Sequence, residues 1–286
     1  MEKKFIILGV LLATFGFTKM SAQINLGEKA LGAVQKGVAS FTLSNADAAA
    51  LSKEAVRKLD SANQVAGPND GYTLRLNRIF GKHSAGESYT LNYKVYKLKE
   101  VNAFATADGS VRVYSGLMDI MDDNELLAVI GHEIGHVANN DSRDAMRAAY
   151  QKEALIDGVS SQSAKISAVT DSQLGKIGSA LIDSKHSRKQ EAEADLFSYD
   201  FLKKNGYNVN AEESAFRILA KMSEGNEASF IDKMMSSHPD SKSRAEDAKK
   251  RAEKDGIYKA YVQQKIVNTV PKTTVKKTTK KTTKKK

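Results

Sequence analysis

The chain has 286 residues, of which 41% are apolar, and this is enough for a substantial core in one large or two small domains. It contains no Cys, which excludes thiol catalysis, disulfides and Cys-ligated zinc. Its formal charge of +10 lies at the two ends: residues 271–286 carry eight Lys and no acid, and residues 1–22 carry three Lys and one Glu. The body is therefore formally neutral, and we expect no nucleic-acid-binding face.

The first 22 residues are typical of a signal peptide. Two lysines precede an apolar run from Phe5 to Phe17, which is too short to cross the roughly 30 Å apolar core of a bilayer. Small residues follow, so we expect cleavage near Ala22; an uncleaved anchor is the alternative. Residues 1–22 therefore predict export, and we expect a periplasmic or secreted mature protein without a transmembrane anchor.

Residues 23–66 are predicted to form helices, because apolar residues recur at three- and four-residue intervals. The segment from Pro68 to Gly71 interrupts this pattern, so we place the main domain at residues 67–262. We expect the N-terminal helices to pack on that domain. A short helix ending near Gly81 and a strand over Tyr89–Tyr96 are predicted at its beginning.

A hairpin is predicted next. Asn102–Ala105 and Val111–Tyr114 flank Asp108 and Gly109, a pair that is typical of a tight turn. An extended peptide can add to the edge of such a sheet through its main chain. An ordinary structural hairpin explains the same alternation, and periodicity alone favours it.

The strongest motif is the H-E-x-x-H sequence from His132 to His136. On a helix, residues four apart share a face, so these two His can present their imidazoles to one metal ion with Glu133 beside them. Zinc held by two His and a third ligand keeps a position for water and lowers the pKa of that water, and Glu133 can then act as general base. A structural helix with two buried His is the alternative interpretation.

The helix that carries this motif is predicted to be buried. Its apolar residues recur at helical spacing between Leu126 and Val137, and a polar residue at 122–124 can cap its start. Gly131 and Gly135 each cost about 1 kcal/mol relative to Ala in a helix. We therefore expect another part of the chain to approach this helix closely at the two glycines.

A third metal ligand is predicted on a later helix, which begins near Ser187. Glu191 and Asp195 are four residues apart on one face, so one can bind zinc while the other orients an imidazole. A charged, solvated helix start is the alternative. Between the two helices, residues 157–183 are predicted as a hairpin or flap over the cleft.

Four patches of sequence resemble the gluzincin zinc metallopeptidase family of the CAAX prenyl protease, HtpX, the mitochondrial Oma protease and the periplasmic BepA and LoiP proteins. They are Asn102-Ala103-Phe104-Ala105 with Gly109-Ser110-Val111 and Gly116-Leu117, Glu125-Leu126 leading to His132-Glu133-Ile134-Gly135-His136, Ser187-Arg188 with Glu191 and Ala194-Asp195, and His238-Pro239 with Arg244. The resemblance covers roughly residues 70–250. It implies a mostly α-helical α+β fold: a zincin-like domain with a small edge-strand sheet beside the motif helix.

The resemblance also implies roles for individual residues. The implied ligands of one Zn²⁺ per chain are His132, His136 and Glu191. Asp195, Arg188 and Arg244 are implied to support these ligands from behind. The implied substrate-binding residues, on or near an edge strand around Val111–Tyr114, are Asn102, Ala103, Phe104, Val111 and Val113.

His238 is a further candidate for the catalytic site. It lies in a loop before the helix that contains Arg244, and the matching residue of the family lies near the cleft. It can stabilise the oxyanion formed during cleavage, or it can occupy the open zinc position and hold the enzyme latent. A structural His at a helix entry is the third interpretation. His83 and His186 have no match in the family, and we expect both at the surface.

The tail, residues 263–286, is rich in Lys and Thr and is predicted to be disordered. It can bind weakly to anionic envelope components, or it can remain solvated without a specific partner. All these features predict an exported zinc endopeptidase that acts on unfolded or misassembled envelope proteins. The alternatives are a zinc-bound chaperone or adaptor with latent or lost proteolysis, and an anion-binding protein that works through its tail.

Overall fold

The computed structural model describes residues 43–84, 90–156, 169–225 and 228–268. This part of the chain contains ten α-helices and three strands. Their bounds in chain order are α1 Asn45–Ala62, α2 Gly71–Phe80, β1 Asn92–Tyr96, β2 Ala103–Ala105, β3 Ser110–Tyr114, α3 Ser115–Ile120, α4 Asp123–Ala138, α5 Asp141–Ile156, α6 Asp171–Ile182, α7 Arg188–Lys204, α8 Asn210–Ser223, α9 Asp232–Ser237 and α10 Ser241–Lys254. Within the described ranges, none of these helices is long and apolar enough to cross a membrane.

Several predicted features lie outside the described residues. They are the signal peptide at 1–22, the helices expected between residues 23 and 42, the start of the strand predicted from Tyr89, residues 157–168 of the flap, and the tail from residue 269. These features stay predictions. The helix predicted to end near Gly81 is confirmed as α2, which is followed by a single 3-10 turn over Gly81–His83.

The three strands form one sheet in the order β1-β3-β2. The predicted hairpin is confirmed: β2 and β3 are antiparallel, and Gly109 in their turn has a φ of 81°, a conformation that favours glycine. β1 runs parallel to β3 on its other side. The mostly helical α+β fold with a small sheet is thereby confirmed. The prediction that Val111–Tyr114 is an edge strand is wrong, because both of its edges are paired and the outer strands are β1 and β2.

Helix α4 carries the H-E-x-x-H motif through the protein interior. Asp122 caps it: its Oδ1 atom accepts hydrogen bonds from the N–H groups of Asn124 and Glu125, both at 3.0 Å, and Glu125 Oε2 accepts one from the N–H of Asp122 at 2.8 Å. All residues from Glu125 to His136 are buried. A helix packed on every side cannot move without disturbing its neighbours, so it holds its side chains in fixed positions.

The motif helix takes part in the larger of the hydrophobic cores formed by the described residues, and a separate core lies among other helices. The larger core joins α4 to the sheet, α7, α8 and α10, and Leu126 and Ile134 are fully buried in it. The smaller core lies among α1, α5 and α6, with Leu51 and Ile177 inside it. The described part of the predicted flap is therefore a regular helix, α6, packed in this second core.

A buried ionic network ties α1 to the sheet. Asp60 accepts hydrogen bonds from Arg112 Nε at 2.8 Å, Lys94 Nζ at 2.7 Å and the Tyr96 hydroxyl at 2.8 Å. The Arg112 side chain is only 2% exposed, so its charge depends on this partner. Burial alone would raise the pKa of Asp60, but the hydrogen bonds from Arg112, Lys94 and Tyr96 outweigh it and lower the pKa to about 2.

Replacing Asp60 by Asn is expected to lower the free energy of unfolding by at least about 1–3 kcal/mol, because the buried Arg112 guanidinium loses its counterion. The folded-state pKa of about 2 lies below the unfolded value. The stabilisation is therefore complete above a pH of about 4 and is lost as the pH falls towards 2.

Urea unfolding of wild type and variant at neutral and acidic pH measures both effects. The control is Asp247→Asn, at a side chain that is 60% exposed, and it should change little. Equal losses in the two variants would contradict the prediction.

The chain after α10 crosses back over the start of α4. The Tyr261 hydroxyl donates to Asp122 Oδ2 at 2.7 Å, and Gln263 Nε2 donates to Glu125 Oε2 at 2.6 Å. Hydrogen bonds of this segment continue to Asn268. The prediction that disorder begins at residue 263 is therefore wrong, because polar side chains at 263–268 pair with groups at and just before the start of α4.

Candidate metal centre

Four buried side chains converge beside α4: His132 and His136 from that helix, Glu191 from α7 and His238 from the loop after α9. Their ligand atoms all lie within 4.8 Å of one another. His132 Nε2 lies 3.1 Å from His136 Nε2, and the Glu191 oxygens lie 3.5 and 3.4 Å from these two nitrogens. Atoms that bind one tetrahedral zinc ion at about 2.0–2.2 Å are about 3.3–3.6 Å apart. This donor set therefore fits zinc in both spacing and chemistry.

Carboxylates behind the two imidazoles fix their orientation. His132 Nδ1 hydrogen-bonds to Asp195 Oδ1 at 2.8 Å, and His136 Nδ1 hydrogen-bonds to Asp141 Oδ2 at 2.9 Å. A carboxylate accepts a hydrogen bond from Nδ1–H, so each ring in its neutral form keeps the lone pair of Nε2 for a metal. Asp195 thus contacts an imidazole of the motif helix, as the sequence predicts. Asp141 makes the equivalent contact with the second imidazole.

Arg244 joins Glu191 and Asp195, two of the acidic residues of α7. Its Nη1 atom lies 2.7 Å from Glu191 Oε2, and its Nη2 and Nε atoms donate to Asp195 at 2.6 and 2.9 Å. The guanidinium also lies over the Phe216 ring, 4.1 Å from the ring centre. Arg188, in contrast, is exposed on the first turn of α7 and makes no hydrogen bond or ion pair with these residues. Its predicted support of the site is wrong, because Arg244 already fills the space beside both carboxylates.

The two imidazoles have different affinities for a proton. Burial and the Arg244 charge lower the pKa of His132 to about 3, so its ring is neutral at pH 7. Burial disfavours charge on His136 as well, but its hydrogen bonds with Asp141 and Glu191 outweigh this and raise its pKa to about 9. A metal binds only the neutral ring, so metal binding at this cluster is coupled to loss of a proton from His136.

Glu133 lies beside the cluster with its carboxylate buried. Its Oε1 atom has no hydrogen-bond partner within the described ranges and lies 3.5 Å from His238 Nε2. Burial raises the pKa of Glu133. A carboxylate with a raised pKa and an unengaged oxygen is suited to accept a proton and return it.

A cleft leads from the cluster to the edge of the sheet. Residues of both regions line it: Glu133, His136 and His238 on one side, and Ala103, Phe104 and Ala105 of β2 on the other. Asn102 and Thr106 form ladder hydrogen bonds with β3, so the main-chain groups of Ala103 and Ala105 face outward. The Ser142 hydroxyl already donates to the Ala105 carbonyl at 3.0 Å. The cleft therefore has a strand edge, partly engaged by Ser142, beside the candidate metal ligands.

The five predicted substrate-binding residues lie in different places. Ala103 and Phe104 line the cleft. Val111 and Val113 are fully buried in the central strand, so their prediction as substrate contacts is wrong: β2 covers their edge. Asn102 is also buried, lies outside the cleft lining, and accepts a hydrogen bond from the N–H of Ala103 through its Oδ1 atom.

Two histidines that were predicted at the surface lie partly inside. His186 stacks on His136, with ring centres 3.8 Å apart and planes at 16°. His83 hydrogen-bonds to the Tyr207 hydroxyl at 2.7 Å. Sequence reasoning missed these contacts and Asp141. The position of Asp141, five residues after His136 and just past the helix end, is the local signal that could have identified it. His186 has no such signal, because its partner is 50 residues away in the chain.

Helix α7 crosses α4 at the two glycines of the motif helix. A Cβ atom at Gly135 would lie 2.9 Å from Ala194 Cα, and one at Gly131 would lie 3.1 Å from the Phe201 ring. The predicted close approach at both glycines is confirmed. It brings Glu191 within reach of the two His, which a wider helix spacing would prevent.

Replacing Gly135 by Ala is expected to destabilise the protein by about 1–3 kcal/mol and to weaken zinc binding, because the contacted atoms belong to the α7 backbone. Gly175 in α6 is the matched control: nothing lies within 4 Å of an added Cβ there. Gly175→Ala should therefore stabilise the helix by up to about 1 kcal/mol. Urea unfolding and competition with a zinc chelator measure the two quantities. Similar behaviour of both variants would contradict the prediction.

The fold and the cluster together define a class of protein. A buried H-E-x-x-H helix, a glutamate from a later helix and a small sheet beside the cleft are the features of a zincin-like metallopeptidase. The model of Peptidase family M48 matches residues 76–252. The chain belongs to this family and is a zinc metallopeptidase.

The chain is similar to two metalloproteases of Escherichia coli strain K12. It is 41% identical to Metalloprotease LoiP over 221 residues, which are 76% of this chain and 85% of LoiP. It is 42% identical to Metalloprotease YcaL over 225 residues, 77% of this chain and 86% of YcaL. A shorter stretch of 97 residues is 35% identical to Protease HtpX of Nitrosococcus oceani and covers 32% of this chain and 33% of HtpX.

Proposed function

We propose that this chain is an exported zinc endopeptidase that cleaves unfolded or misassembled envelope proteins. The observation that carries the proposal is the convergence of His132, His136 and Glu191 at the spacing of a zinc site, with Glu133 beside them in a cleft. When bound, zinc supplies a Lewis acid that acidifies a water molecule and polarises a carbonyl group. We assign the three side chains as the ligands of one zinc ion per chain.

Proton transfer is assigned to Glu133. Its carboxylate lines the cleft, and its Oε1 atom is not engaged by any described residue. It takes the proton of the attacking water and passes it to the leaving amine. Asp195 and Asp141 keep the two ligand imidazoles in one tautomer, so the ligand geometry is set before substrate arrives.

Substrate binding is assigned to the outer strand β2. The Ala103 carbonyl and the Ala105 N–H face outward and can pair with an extended peptide of any sequence, and this places the peptide alongside Glu133. A segment inside a folded protein already uses its main-chain groups and cannot enter. Binding by strand addition therefore favours unfolded polypeptides as substrates.

The place of action is proposed from the ends of the sequence. The leader-like residues 1–22 favour export to the periplasm or the exterior. The Lys-rich end binds weakly to anionic envelope components. Between them, residues 23–66 pack on the peptidase domain at 67–262. N-terminal sequencing of the exported protein tests the leader. An intact N-terminus in the mature protein would contradict it.

Cleavage of casein tests the enzymatic part of the proposal. Purified protein lacking residues 1–22 is stripped of metal and reloaded with one equivalent of zinc. We expect cleavage after reloading and none before it. No cleavage under any metal condition would overturn the proposal. Proteomics of a strain that lacks the chain tests the substrate class, since we expect misassembled envelope proteins to accumulate, and an unchanged envelope would contradict that class.

A second candidate function is that of a zinc-bound chaperone or adaptor whose proteolysis is held in check by His238. The His238 Nδ1 atom lies 3.2 Å from His132 Nε2 and 3.1 Å from Glu191 Oε1, which is the spacing expected of a fourth ligand. A fourth protein ligand closes a zinc site to water. If His238 closes the site, His238→Ala raises activity; if His238 stabilises the oxyanion, the same change lowers it.

A further inference from the structure

A second groove, which the proposed chemistry does not use, adjoins the cleft. This groove lies between the first half of α5 and the end of α6, and it shares the lining residues Ala145, Ser184 and His186 with the cleft. The space between its lining residues is about 980 Å³, against about 380 Å³ for the cleft, and both volumes include space open to solvent. The two cavities therefore adjoin at Ala145, Ser184 and His186.

His186 marks the junction of the cleft and the groove. The centre of its ring lies 3.8 Å from that of the His136 ring, on which it stacks. Its backbone N–H donates to the Ser237 carbonyl at 3.3 Å, so both the ring and the backbone of His186 are held in place. Neither ring nitrogen hydrogen-bonds to another residue in the described ranges. The ring is half-buried and lines both cavities. It can thus offer a hydrogen bond to a polypeptide that passes from one cavity to the other.

The groove suits an unfolded polypeptide. Its floor is made of methyl groups: Ala145, Ala148, Ala149 and Ala180. Small side chains leave room for the bulky apolar side chains that unfolded segments expose. Its lining carries both signs of charge, from Asp141, Asp144 and Asp183 and from Lys152 and Lys185. The groove therefore does not strongly select a basic or an acidic substrate. Strand pairing at β2 leads to the same expectation, because it uses main-chain groups and not charged side chains.

We propose that the α5–α6 groove is an extended substrate subsite, entered past His186, that holds the part of an unfolded polypeptide lying beyond the residues next to the cleaved bond. The proposal rests on the proposed peptidase function, because the groove can serve as a substrate subsite only if cleavage takes place in the adjoining cleft. It predicts that long unfolded chains bind better than short peptides with the same cleavage sequence, because only the long chains reach the groove.

Binding of peptides of two lengths tests the proposal. The probes are fluorescein-labelled casein peptides, one short enough to span the cleft alone and one lengthened at each end in turn. Fluorescence anisotropy is measured on zinc-loaded Glu133→Gln protein, which does not consume the probe. We expect lengthening at one end to tighten binding by about tenfold, and Ala148→Trp, which fills the groove at an exposed position, to remove that gain.

The matched control is Ala50→Trp, at an exposed position of α1 outside both cavities, and it should keep the tenfold gain. Circular dichroism confirms that each variant is folded. Equal affinities for short and long peptides, or a length gain that survives Ala148→Trp, would overturn the proposal. These outcomes do not depend on cleavage, so failure of the groove proposal and failure of the casein assay are separate results.

Discussion

Replacing Glu133 by Gln is expected to lower kcat for peptide cleavage by about 10²–10⁴-fold, the range that general acid–base catalysis contributes. The amide cannot accept a proton from water, yet it has the same size as the carboxylate and lies at the same place in the cleft. Glu133 is not among the four side chains whose ligand atoms converge. Zinc content and KM should therefore change little, while kcat falls.

The control for this prediction is Glu193→Gln on α7. Glu193 is two residues from Glu191, but it is exposed and its only ion pair among the described residues is with Lys189 at 3.6 Å. Its replacement should leave kcat unchanged. Steady-state kinetics with a fluorogenic peptide and zinc analysis of the same samples measure both variants. A Glu133→Gln protein that retains full activity, or that has lost its zinc, would contradict the assigned role.

The second large effect is expected at Arg244. Arg244→Met should lower the free energy of unfolding of the metal-free protein by about 3–5 kcal/mol, because it removes the guanidinium that pairs with two buried carboxylates. Arg244 contacts Glu191 at 2.7 Å and Asp195 at 2.6 Å, and their side chains are 4% and 5% exposed. Zinc should offset part of this loss in the loaded protein, since it provides Glu191 with another positive partner.

Arg217→Met is the matched control for Arg244. Arg217 also pairs with two carboxylates, those of Glu213 and Glu246 at 2.8 Å each, but its side chain is 47% exposed. Exposed ion pairs contribute about 0–1 kcal/mol, so this variant should remain close to wild type. Urea unfolding at pH 7 gives both values. Equal losses in the two variants would show that burial does not set the contribution of Arg244.

Local sequence patterns predicted the parts of the site that lie within a single helix or a single hairpin. His132, Glu133 and His136 share a helix face because of their spacing, and the cost of two glycines in that helix pointed correctly to a close neighbour. Glu191 could be placed on a later helix for the same reason. The hairpin was likewise predicted from its turn residues, since a two-stranded ladder is set by nearby sequence.

Contacts between distant segments could not be predicted in the same way. β1 pairs in parallel with β3 and converts the expected edge strand into the central one, which makes Val111 and Val113 core residues. His186 reaches His136 only because the loop before α7 folds beside the motif helix. The hydrogen bonds of residues 263–268 depend on where α10 ends. These outcomes follow from topology, and periodicity contains no information about it.

The extended groove links the proposed activity to its substrates. An enzyme that held its substrate only at β2 would cut any accessible peptide with similar efficiency. The proposed subsite beyond His186 would favour long unfolded chains over short fragments. It would account for such a preference without a sequence-specific pocket.

The proposed activity depends on one zinc ion held by His132, His136 and Glu191. Crystals of the zinc-loaded protein, with diffraction data collected on both sides of the zinc absorption edge, test this claim directly. We predict a single anomalous peak per chain, about 2.0–2.2 Å from Nε2 of both imidazoles and from a Glu191 oxygen. The absence of a peak at this position, or a peak bound by other residues, would contradict the claim.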